Sequence, residues 1–195
     1  LGDVYKRQLY DQNGKWNLAI RRTLEAIYQN YTGDRESQDF KNFEVYLKRV
    51  WFSNGIHHHY GCDKFVPEFS QEFFTEAVKS LDPKTLPLTT GASVDDLLNT
   101  LTPVIFDSSV MPKRVNQAAG EDLIVTSAGN YYDGVTQAEA EAFYNKMKNP
   151  KDETPISYGL NSRLVKRDGK IVEETYKVGG LYTEAIEKIV YWLEK

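Results

Sequence analysis

Arg167-Asp168-Gly169-Lys170 lies between two β-favouring runs, residues 157–166 and 171–178. A two-residue Asp-Gly connection suits the turn whose two central residues both need positive φ, so it is the strongest short-range hairpin signal a sequence carries. It commits this part of the chain to an antiparallel strand pair. Most other patterns are helical. Trp16, Ile20, Leu24, Ile27 and Tyr31 recur at three- and four-residue steps, with Gly33 as a stop. Phe40, Phe43, Leu47, Val50 and Trp51 predict a second helix ending near Asn54-Gly55, antiparallel to the first across a short polar turn. Ser70 caps a third, with Phe73, Phe74, Ala77, Val78 and Leu81 inward and Asp82-Pro83 as its end. Ser93 opens a short helix that Pro103 is expected to limit.

Residues 104–134 are ambiguous, with Leu123-Ile124-Val125 a candidate strand. Thr136 with Glu139 three residues on is a capping-box pattern, opening a helix to about Lys148. Gly179-Gly180 breaks the second hairpin strand, and a final helix carries Leu181, Ala185, Ile189 and Trp192 at helical spacing. Helices, a mixed region, a hairpin and a helix define an α+β class rather than repeating βαβ units.

The net charge of −4 disfavours nucleic-acid or anionic-membrane binding, both of which need a basic patch. No apolar run is long enough for a membrane span, and no leader pattern opens the chain. One cysteine, Cys62, permits no disulfide within the chain, which fits a reducing, cytoplasmic setting. Both ends look cut, and residues 1–8 read as an adapter-derived segment outside the fold, leaving 9–195 as a partial domain. The last helical stripe is expected to continue or to dock on something missing.

The three histidines of the chain are consecutive, His57, His58 and His59, followed by Tyr60, Gly61, Cys62, Asp63 and Lys64. A zinc site needs three or four converging ligands. In an extended chain only His57 and His59 share a face, and no His-Glu-x-x-His or Cys-x-x-Cys accompanies them. Adventitious nickel or zinc binding by exposed imidazoles is the simpler metal reading. A Cys or Ser nucleophile triad lacks any elbow signature. Two readings of the loop stay open: a polar surface loop, or a recognition loop in which imidazole and phenol faces line a cleft and Gly55 and Gly61 admit a close ligand backbone. Gly179-Gly180 lacks both phosphate-loop patterns and reads as a turn.

The stretch from Val50 through His57-His58-His59-Tyr60-Gly61-Cys62-Asp63-Lys64-Phe65-Val66-Pro67 to Phe69 resembles the bacterial branch of dipeptidyl peptidase III. So do Tyr158-Gly159-Leu160-Asn161-Ser162-Arg163-Leu164-Val165, the run Lys177 to Tyr182, and Tyr10-Asp11-Gln12-Asn13 with its following helix. The resemblance implies part of the lower lobe, with a mixed, barrel-like β portion, of a two-lobed zinc exopeptidase that removes dipeptides from the N-termini of short peptides. It implies that zinc and its His-Glu-x-x-Gly-His ligands belong to a missing upper lobe, leaving no catalytic or metal residue here. What carries over is substrate binding by His59, Tyr60 and Gly61, and more weakly by Asn54, His57 and His58. Cys62 departs from the family's usual acidic residue. The alternative from another class is a non-catalytic peptide-binding or interaction module with a histidine-rich surface loop.

Overall fold

A computed structural model describes residues 14–195. Residues 1–8, read as adapter-derived, and the Tyr10–Asn13 resemblance lie outside the described residues. The chain forms two compact units: the described residues up to Gln117 with Thr126–Ala128, and Ala118–Val125 with Gly129–Lys195. Among the described residues the architecture is α+β, with six α-helices and a small mixed three-stranded sheet.

The first unit holds α1 (Asn17–Asn30), α2 (Gln38–Ser53), α3 (Gln71–Lys79) and α4 (Val94–Phe106). The apolar stripes read from the sequence are the faces that pack. Ile20, Leu24 and Ile27 of α1, Phe40, Phe43, Leu47 and Val50 of α2, and Phe73, Phe74, Ala77 and Val78 of α3 are all buried in one core. Each fully buried side chain of this size contributes roughly 1.5–3 kcal/mol relative to exposure. Aromatic edges fix the geometry: Phe69 meets Phe43, Tyr46 and Phe106 at ring distances of 5.7, 5.4 and 5.4 Å, each near-perpendicular. Ser70 caps α3 through the Phe73 N–H and also donates from Oγ to Asp39 at 2.8 Å, tying α3 to the first turn of α2.

Pro103 does not end α4, which runs on to Phe106. Val104 and Ile105 are buried, so packing holds the last turn. One lysine binds a carbonyl left open in the last turn of α4 and two more in the segment just after it. Lys64 Nζ donates to Val104 O at 3.0 Å, to Val110 O at 2.6 Å, and to Asp107 O.

The second unit holds β1 (Tyr132–Asp133), α5 (Gln137–Asn145), β2 (Ser162–Arg167), β3 (Lys170–Thr175) and α6 (Thr183–Leu193). The Asp168-Gly169 hairpin forms as expected, with φ of 51° and 72° at its two central residues. β2 and β3 pair antiparallel from Ser162↔Thr175 to Arg167↔Lys170, and β1 pairs parallel with β2 through Tyr132↔Leu164. The sheet order is β1-β2-β3 and the sheet is not closed, so the barrel-like portion is corrected to an open three-stranded sheet. With β1 only two residues long, there are too few strands to curl into a barrel.

Leu123–Val125 is a turn, not a strand. Asp122 explains this: its carboxylate accepts from the Ile124, Val125 and Gln137 N–H groups at 3.0, 2.9 and 2.9 Å. Local side-chain bonding thus takes the donors a strand ladder needs. α5 starts on the Thr136–Glu139 capping box and stops at Asn145, before the expected Lys148.

Candidate functional site

The histidine loop is a small hairpin pinned at its neck. His57 and Lys64 form an antiparallel bridge, flanked by Phe65 N–H to Ile56 O and His58 N–H to Asp63 O, both 2.8 Å. The loop is then stitched to a segment far along the chain. Lys64 N–H donates to Pro112 O and Arg114 N–H to Cys62 O, at 3.2 and 2.8 Å, and Lys113 pairs in turn with Ser127. Partial burial lowers the Lys64 ammonium from the ordinary lysine range, with nearby Asp107 opposing that shift.

The three imidazoles have three different environments. His57 points inward, 2% exposed, and its Nε2 lies 2.9 Å from Met111 O. A carbonyl can only accept, so that nitrogen carries the proton. His58 Nδ1 accepts from the Tyr60 and Gly61 N–H groups at 3.2 and 3.0 Å, closing the turn from within. His59 Nδ1 shares a hydrogen bond of 3.2 Å with Ser53 Oγ at the end of α2. The expected alternation of faces fails because the chain turns here: the His58 and His59 rings stack, 4.8 Å apart and 21° from parallel. Among the described residues no group of three His, Cys, Asp or Glu side chains converges as a metal site. The donors present do not fit zinc.

The other candidates are placed as follows. Asn54 is the C-cap of α2, in the left-handed region at φ 57°. Tyr60 is 72% exposed, its ring 4.3 Å from that of His59. Gly61 is exposed at the turn, where an added Cβ would meet only ordinary contacts. Gly55 is buried against Asn17 of α1, where an added Cβ would come within 2.6 Å, so its small size serves packing. Cys62 is the loop residue with positive φ, 63°. Its Sγ contacts Tyr60 O and Arg114 Nη2, at 3.8 and 3.5 Å.

Beside the loop runs a groove of about 430 Å³. Its long wall is the outer face of α2: Val45, Lys48, Arg49, Phe52 and Ser53. His58, His59 and Phe65 close it. Val45 and Phe52 are 46% and 56% exposed, on the helix face opposite the core. The Phe52 ring stands edge-on to His59 at 5.0 Å. Sequence reasoning missed the α2 wall. The available signal was two large apolar residues seven apart on the otherwise polar face of α2.

A scan against protein-family models finds no match, and a search of curated proteins finds none either.

Proposed function

We propose that this chain supplies part of the peptide-binding cleft of a zinc-dependent, dipeptidyl peptidase III-like exopeptidase, with the metal and its ligands in a separate lobe. The observation that supports this most is the groove wall made by His58 and His59 against α2. The loop quoted for the family resemblance borders a concave surface of the size that takes a peptide side chain or two. In this reading the chain's own residues bind and orient. Apolar and aromatic faces hold side chains of an extended peptide, and the pinned hairpin keeps His59 and Tyr60 in place without reordering on binding.

The test uses the complete reading frame. Replacing His59 and Tyr60 together by alanine is expected to raise KM for dipeptidyl-arylamide substrates while leaving zinc content unchanged. Unchanged kinetics would remove the loop from the cleft. The 195-residue chain with added zinc is expected to show no turnover, and chelator-sensitive hydrolysis by it would refute the placement of the metal elsewhere.

The second reading, a non-catalytic peptide-binding module, is favoured by one observation: α2 and the adjoining loop complete the groove within one unit. A His-Glu-x-x-Gly-His helix elsewhere in the reading frame decides for the peptidase.

A further inference from the structure

The groove's lining has a composition that peptide binding in general does not require. Among the described residues its ionisable side chains are Lys48, Arg49, His58 and His59, all bases, and no described carboxylate lines it. This stands on a chain whose net charge is −4. Val45, Lys48, Arg49 and Phe52 follow the i, i+3, i+4, i+7 spacing of one helical stripe. The two cations therefore sit between two exposed apolar side chains, over a span of about 10 Å. The cations already have acidic partners outside the groove: Lys48 is 3.3 Å from Glu44, and Arg49 is 3.4 Å from Glu68. Lys48, Arg49 and Glu68 are exposed and Glu44 is half-buried, and such surface pairs are weak enough for an incoming carboxylate to displace.

We propose that this groove selects peptides in which an acidic residue is flanked by apolar ones. Side chains of an extended peptide alternate between faces, so residues i, i+2 and i+4 meet the stripe together and the acidic residue stands two positions from each apolar one. The apolar side chains would lie against Val45 and Phe52, and the carboxylate would meet Lys48 and Arg49 between them. The inference rests on the peptide-cleft reading above only for the class of occupant, and it adds the preference.

The test is fluorescence anisotropy with the 195-residue chain and three labelled pentapeptides, Leu-Gly-Glu-Gly-Leu, Leu-Gly-Lys-Gly-Leu and Ser-Gly-Glu-Gly-Ser, whose first, third and fifth side chains share a face. The Leu-Gly-Glu-Gly-Leu peptide is expected to bind about ten-fold more tightly than either other, with the advantage over Leu-Gly-Lys-Gly-Leu shrinking as salt is raised. Lys48→Gln with Arg49→Gln should erase that advantage, both positions being exposed enough to leave the helical circular dichroism intact. Phe52→Ser should weaken both leucine peptides alike. Equal binding of all three peptides, or a ratio that survives the double substitution, overturns the preference and leaves the peptide reading standing. Saturable binding by none of them overturns both.

Discussion

The two compact units are held together by different physics. In the first, α1 to α4 each bury an apolar stripe in a common aromatic-rich core, and even the histidine loop contributes Ile56 and Phe69 at its ends. In the second, the buried apolar cluster is Val135, Ala140 and Leu164, with half-buried neighbours such as Phe143 and Tyr144. Polar devices do more there: the Thr136–Glu139 capping box, Lys166 to Glu139 at 2.5 Å, and Arg163 and Arg167 both on Glu174. Exposed ion pairs contribute little each. α6 has no buried residue, and Ile189, Tyr191, Trp192 and Leu193 lie on the surface of the described chain. The candidate groove thus sits on the unit whose core can hold a pinned loop rigid.

That contrast can be broken most directly by a cavity. Phe74→Ala in the first unit is expected to cost about 3–5 kcal/mol, read as a fall in the urea midpoint of Trp16 and Trp51 fluorescence. A loss under 1 kcal/mol would mean that the core is not what stabilises this unit. Lys64→Met, next in size, strips the shared donor from the carbonyls of Val104, Asp107 and Val110, in the last turn of α4 and the segment after it. It should cost about 1–3 kcal/mol and loosen the loop, seen as broadened His59 resonances. An unchanged midpoint would show that water replaces the ammonium freely.

Tyr46→Phe has the opposite sign. The Tyr46 hydroxyl is buried without a hydrogen-bond partner among the described residues, and burial raises its pKa well above the phenol range. Removing it should leave stability unchanged or raise it by about 1 kcal/mol, and a clear loss of stability would reveal a partner for the hydroxyl.

The smallest expected effect belongs to the second unit and depends on pH. The hydrogen bond from Lys166, with the Thr136 N–H, pulls the Glu139 carboxyl down to about 2 from an ordinary 4.5. A depressed carboxylate contributes stability that is fully present above its unfolded value and lost as pH falls through the folded one. The contribution should therefore hold above pH 4.5 and fade towards pH 2. Glu139→Gln should flatten this part of the acid profile, measured on the amide resonances of β2 around Lys166. An identical profile would show that the capping box carries no pH-dependent share.

The local signals transferred well because each is complete within a few residues. Ser70, Ser93 and Thr136 cap the helices that follow them, and Asp168-Gly169 makes its own turn. The signals that failed were those whose outcome depends on distant partners. Pro103 looked like a stop, yet buried Val104 and Ile105 and the Lys64 ammonium carry α4 past it. The three histidines looked alike, and only the stitching of the loop to the segment around Lys113 and Ser127 sends one ring inward and stacks the other two.

By itself the sequence determined the helical stripes, their caps, the hairpin and the α+β class, since periodicity and turn chemistry act over one or two turns of chain. Only the tertiary structure decided that the sheet stays open, that Leu123–Val125 is a turn, and that the outer face of α2 becomes a groove. A groove needs two surfaces, and the loop that supplies the second is held in place by residues some fifty positions away, from Met111 to Arg114. Hydrophobic patterning marks which face of a helix is buried. It does not mark which exposed face another segment will turn into a wall.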